Sequence, residues 1–144
     1  MIAVDTNILV YAHRRDSLWH DGASRLLQGL AQGKTSWAVA WHCLHEFISV
    51  VTNKRIYQPA STQDEALNQI DLWMQSPSLQ LLSEQPGYWN DLKAIVKPAQ
   101  VSGPQIYDAR IAALCLHHGV RELWTADRDF QKFPALKTRN PLVG

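Results

Sequence analysis

The 144-residue chain has two cysteines, almost no excess of either charge and no long uncharged apolar run, and each shortage closes off a class of protein. Cys43 and Cys115 stand far apart, each inside an apolar stretch. That spacing excludes a disulfide framework or a zinc knuckle, and both thiols read as small core residues in a reducing compartment. Fourteen Lys and Arg against 13 Asp and Glu leave a formal net charge of +1. Nucleic-acid binding through bulk positive charge is therefore not expected, and any attraction for phosphate has to be local or carried by bound cations. No uncharged run approaches the roughly 18 apolar residues of a membrane span. The start, Met1-Ile-Ala-Val-Asp5, lacks the basic segment of a secretory signal, so the expectation is a soluble, cytoplasmic protein without a membrane partner. There is no Gly-rich phosphate loop and no G-x-S-x-G.

What is present is a hydrophobic fraction of 46%, enough for a real core in one domain spanning residues 1–144. The chain alternates short apolar runs with helical patterns. Strands are predicted at Ile2 to Val4, Ser36 to Ala40, Leu79 to Leu82, Glu122 to Thr125 and Leu136 to Arg139. Helices are predicted at about Asn7 to Arg14, Ser17 to Leu30, Trp41 to Lys54, from Ser61 to before Pro77, Gly87 to Ala99 and Gln105 to His118. Ser17 is the expected cap of the second helix, the run Ser61-Thr-Gln-Asp-Glu65 carries a capping signature, and Gly119 closes the last helix. Strands separated by helices imply an α/β domain with a parallel sheet covered on both faces. In such sheets ligands bind beyond the carboxyl ends of the strands, which singles out Asp5 and Asp127.

Most acids need no special account. Asp64, Glu65, Asp71, Glu84 and Asp91 stand among polar residues, and Asp16, Asp21 and Glu122 read the same way. Asp5 directly follows Ile2-Ala-Val4 and precedes an apolar run; Glu46 lies inside Trp41-His-Cys-Leu-His-Glu-Phe-Ile-Ser-Val-Val51; Asp108 opens an apolar helix; Asp127 and Asp129 follow the fourth strand. Each has an ordinary explanation. Asp5 could cap a helix, Asp108 could complement a helix dipole, Glu46 could pair with a cation, and Asp127 and Asp129 could form a turn. Taken together they suggest a shared cation, because several buried carboxylates resist joint ionisation and hard divalent ions prefer oxygen ligands.

In this order and spacing the residues resemble the PIN-domain family, and within it the VapC-type ribonuclease toxins of type II toxin–antitoxin systems. The resemblance is carried by Asp5-Thr-Asn7 after the first strand, Glu46 in the third helix, Tyr107-Asp-Ala109, and Thr125-Ala-Asp-Arg-Asp-Phe130, and it covers essentially the whole chain. It implies a three-layer α/β/α sandwich around a mostly parallel sheet and metal-dependent cleavage of single-stranded or loop RNA. By the same resemblance Asp5, Glu46, Asp108 and Asp127 form a catalytic quartet. Asp5, Asp108 and Asp127, with Asp129 as a further candidate, would hold Mg²⁺ or Mn²⁺, and Asn7 and Thr125 would orient a carboxylate or a water. The implied partners are an RNA substrate, a cognate small DNA-binding antitoxin and a second copy in a homodimer. Position 107 is His in many relatives of this subgroup and Tyr here.

Arg14, Arg15, Arg110 and Arg128 neighbour the acidic motifs and are candidates for phosphate contacts. The alternative function is a non-catalytic PIN-like module that binds RNA or protein, which the intact acidic set disfavours. A zinc hydrolase built on His42, His45 and Glu46 is weaker, because the order H-x-x-H-E is not a zinc-protease pattern. Trp37, Trp41 and Trp124 are expected in the core, and Trp19, Trp73 and Trp89 at partner-facing positions.

Overall fold

In the computed structural model, which describes residues 1–143, the first strand β1 (Ile2–Val4) occupies the middle of the sheet. It is followed by α1 (Thr6–His13), α2 (His20–Gln32), β2 (Trp37–Ala40), α3 (Trp41–Val51), α4 (Gln63–Met74), β3 (Leu79–Leu82), α5 (Tyr88–Ala99), α6 (Ile106–His117), β4 (Glu122–Trp124) and β5 (Thr138–Arg139), with short 3₁₀ turns at Gly103–Gln105 and Arg128–Lys132. The strand order is β3-β2-β1-β4-β5, and every pairing is parallel. All four residues of β2 are buried, as a parallel strand covered on both faces requires.

The topology places the site. From β1 through β2 to β3 the chain steps in one direction across the sheet, carrying α1 to α4 with it. From β3 it reverses, and α5 and α6 lead back to β4 on the far side of β1. Right-handed crossovers put the two groups of helices on opposite faces. Consistently, α1 packs on α2 and α3, α3 on α4, and α5 on α6. The result is an α/β/α sandwich whose strand order reverses between β1 and β4, and Asp5 and Thr125 lie immediately beyond those two strands.

Helix ends follow local chemistry. At α4 the Thr62 hydroxyl accepts from Glu65 N, and the Glu65 carboxylate accepts from Thr62 N. Gly119, just past α6, has φ +70°, a conformation only glycine adopts without strain. The second helix differs from expectation. It begins at His20, and Trp19 at the cap position makes no side-chain capping bond, because Ser17 is used in a turn before the helix, where its Oγ accepts from Trp19 N. Among the described residues no helix is long and apolar enough to cross a membrane.

Trp37, Phe47, Phe130, Ile8, Leu9, Leu82, Leu114 and Leu123 are fully buried, and Cys43 and Cys115 are buried free thiols. Two tryptophans reverse their expected places. Trp41 is 40% exposed, because it begins α3 at the rim of the sheet, while Trp73 is 8% exposed and meets Phe47 edge-on at 4.9 Å. Ala66, Ile70 and Trp73 share one face of α4, and that spacing is the signal that marks Trp73 as core. Glu122 is also buried, accepting from Trp124 Nε1 at 2.9 Å and facing Lys137 Nζ at 3.3 Å. Asp91 is half-buried against His117.

Candidate active site

Asp5 ends β1 and caps α1, so its backbone and side chain are both committed. Its N–H bonds to the Trp124 carbonyl, and Oδ1 accepts from Thr6 N at 2.8 Å. Oδ2 accepts from the Thr125 hydroxyl at 2.7 Å and from Asn7 Nδ2 at 3.3 Å. Asp5 is 7% exposed. Burial raises its pKa above the ordinary aspartate value; the Thr125 and Thr6 hydrogen bonds oppose the rise, and the charge of Glu46 adds to it.

Thr125 is the hinge of the arrangement. Its hydroxyl donates to Asp5 and accepts from Asp127 N at 3.0 Å and Asn7 Nδ2 at 3.2 Å. Asn7 closes the link by accepting from Ala126 N through Oδ1. Asp5 and the Thr125–Asp127 segment, about 120 residues apart, are thus held in one hydrogen-bonded frame. Asp127 caps the following 3₁₀ turn, with Oδ1 accepting from Asp129 N at 2.8 Å. This turn brings both acids toward α6: Asp108, Asp127 and Asp129 each present an oxygen within 4.8 Å of the others. Among the described residues no other set of three metal-ligating side chains converges in this way.

Asp5, Glu46, Asp108 and Asp127 line one cleft of about 260 Å³. Thr6, Asn7, Val10 and Tyr11 of α1 form part of its wall, with Val50 of α3, Tyr57, and Tyr107 and Ile111 of α6. Asp129 is exposed outside the cleft lining, and Asp127 is the member of that pair that lines the cleft with Asp5 and Glu46. Glu46 opens to the cleft solvent, yet loss of hydration raises its carboxyl; the Arg110 charge opposes this and Asp108 reinforces it. Asp108 is pushed up to about 6, first by desolvation and then by Asp127, Asp5 and Asp129.

Neighbouring carboxylates add to the desolvation that raises Asp5, Glu46 and Asp108, and no matching set of cations stands among them to offset it. An all-oxygen donor set of this charge suits a hard divalent cation. The Thr6 hydroxyl, buried in the cleft wall without a hydrogen-bond partner, leaves a further polar atom available there. The donor set therefore fits a hard divalent cation.

The four arginines separate. Arg110 stands on α6 near Glu46, and Arg128 is exposed in the 3₁₀ turn beside Asp127. Arg14 is bound to Asp16 at 2.7 and 3.0 Å and to the Pro59 carbonyl; with Arg15 it lines a different groove, of about 880 Å³, and none of the four arginines is among the residues that line the acid cleft. His42 pairs with Glu84, and His45 does not join it and Glu46 in a ligand set. Tyr11 and Tyr57 are cleft residues that no local motif announces. Tyr107 adjoins Asp108, and in the sequence it stands out only through that neighbour and the family resemblance the pair helps to carry.

A model of the PIN domain matches residues 2–136. Ribonuclease VapC43 of Mycobacterium tuberculosis is 33% identical over 144 residues, covering 100% of this chain and 97% of that protein. Ribonuclease VapC48 of the same organism is 29% identical over 140 residues, covering 97% of each. Among solved structures, VapBC2 of Rickettsia felis, bound to a DNA fragment from its promoter, superposes with a TM-score of 0.70 at 19% identity, covering 96% of this chain and 98% of that one.

Proposed function

Because the chain belongs to the PIN-domain family, in its VapC-type group, we propose that it is a divalent-metal-dependent endoribonuclease, the toxin of a toxin–antitoxin pair, hydrolysing RNA phosphodiester bonds. The observation that carries this reading is the meeting of Asp5, Glu46, Asp108 and Asp127, drawn from four separate segments, around one cleft at the reversal point of the sheet.

Asp108 and Asp127, with Asp5 deeper in the cleft and Asp129 outside its lining, would hold Mg²⁺ or Mn²⁺. The ion would supply charge to the scissile phosphate and lower the pKa of a coordinated water. Thr125 and Asn7 keep the Asp5 carboxylate in one orientation, so no reorganisation is needed when substrate arrives. Glu46, which lines the same cleft and is open to solvent, would hold the ion through water or take the proton of the attacking water. Arg110 offers positive charge beside the acids for a phosphate oxygen. No side chain has to form a covalent intermediate, and the RNA 2′-hydroxyl need not take part.

The named ribonucleases VapC43 and VapC48 support RNA as the substrate. The likeness to VapBC2 on promoter DNA supports a small DNA-binding antitoxin as partner and, by family analogy, a toxin homodimer. Cleavage of RNA in Mg²⁺ or Mn²⁺ by wild type and by Asp5→Asn tests the enzyme. Wild type should cleave, lose activity in a chelator, and exceed the variant by at least roughly tenfold. Equal, metal-insensitive cleavage by both proteins would overturn the reading, and a folded wild type that binds RNA without cutting it would point to the non-catalytic module.

A further inference from the structure

Three of the chain's four tyrosines, Tyr11, Tyr57 and Tyr107, line the acid cleft, although carboxylate chemistry has no use for them. Tyr57 is half-buried, and the anchored guanidinium of Arg14 covers one face of its ring at 4.2 Å from the centre. Tyr107 is placed differently. It stands in the first turn of α6, one residue before Asp108, and is 58% exposed.

One side of the Tyr107 ring is also covered, by the Arg110 guanidinium at 4.9 Å from its centre. Arg110 is itself partly buried, and its Nε is enclosed without a hydrogen-bond partner. The guanidinium therefore backs the ring while its charge stays near Glu46. An aromatic ring braced from behind and open in front is a flat platform with little side-chain entropy left to lose.

Such a platform suits one kind of group. Unpaired nucleobases stack on aromatic side chains whatever their identity, whereas in a duplex both faces of a base are already covered by its neighbours. Taking the ribonuclease reading as its premise, we infer that Tyr107, braced by Arg110, is the residue of this site on which an unpaired nucleobase of the substrate stacks. Tyr107 is a positioning residue. It holds the strand across the acids and takes no part in breaking the bond.

The test uses 12-nucleotide RNAs carrying 2-aminopurine, single-stranded or annealed to a complement, with the Asp5→Asn protein in Mg²⁺ to prevent cleavage. Binding of the single strand should quench the fluorophore at one position. Tyr107→Phe in that background should preserve affinity and quenching, while Tyr107→Ala should lose the quench and roughly ten- to a hundredfold in affinity. The duplex should bind all three proteins equally and without a quench. In the otherwise wild-type enzyme Tyr107→Ala should raise KM and leave kcat nearly unchanged. If Tyr107→Ala binds and quenches as well as Tyr107→Phe, or if the duplex quenches as the single strand does, the stacking role is wrong while the ribonuclease reading stands. Failure of the wild-type protein to cleave any RNA would instead remove the ribonuclease reading.

Discussion

Asp108 is held against Asp127 and Asp129, and its carboxyl is pushed up to about 6 from an ordinary value near 3.8. The folded protein thus keeps a proton that the unfolded chain has already released. Stability falls as pH rises from about 4 to about 6 and stays lowered above that range. Asp108→Asn removes the repelled charge and should stabilise the metal-free protein at pH 7 by about 1 kcal/mol, a figure reduced from the full shift because the cleft admits water. Below pH 4 the variant and wild type should match. Thermal unfolding in a chelator at both pH values checks this, and a less stable variant at pH 7 would contradict it. The opposite sign is expected at Thr125. Thr125→Val keeps the shape but deprives Asp5, Asp127 N and Asn7 of their shared hydroxyl, at a cost of about 1–3 kcal/mol. Denaturant unfolding measures it, and an unchanged midpoint would show that the frame is dispensable.

At the scale of elements, α4 shows how a local motif and a remote contact contribute separately. The reciprocal Thr62–Glu65 cap depends on four consecutive residues, and Thr62→Ala should cost about 1 kcal/mol while leaving RNA cleavage intact. Trp73, one face of the same helix, depends on Phe47 of α3. Trp73→Ala should cost about 3–5 kcal/mol by opening a cavity. Urea unfolding of both variants tests the contrast, which fails if the cap outweighs the tryptophan. The Thr62–Glu65 cap was legible because its donors and acceptors lie within one turn. The side on which Trp41 and Trp73 fall was harder to read. Helical spacing says which residues share a face, but only the neighbouring helices say which face is covered. Ser17 misleads for a related reason: a serine can cap a helix or close the turn before it, and here the turn takes it.

For the whole molecule, the sheet brings acids from its two halves to one place. α3 carries Glu46 from one helical layer and α6 carries Asp108 from the other, while β1 and β4 deliver Asp5 and Asp127 between them. A cation held there would bind only the folded chain. Mn²⁺ at one hundred times its dissociation constant should therefore stabilise wild type by about 2.7 kcal/mol. Asp127→Asn should lose most of this gain, as read from melting temperature with and without the ion. Equal shifts in both proteins would place the cation elsewhere.

Alternating apolar runs and helical periods were enough to determine a parallel α/β chain, because burial and backbone hydrogen bonding act over neighbouring residues. Acids set among apolar residues likewise stood out as costly and in need of an explanation. Tertiary structure alone decided that Asp127 rather than Asp129 lines the cleft, that Arg14 turns to Asp16 while Arg110 stands near Glu46, and that Tyr11, Tyr57 and Tyr107 line the same cleft. Those outcomes depend on how separate elements settle against one another, since a side chain's partners are fixed by packing between segments that no local pattern connects.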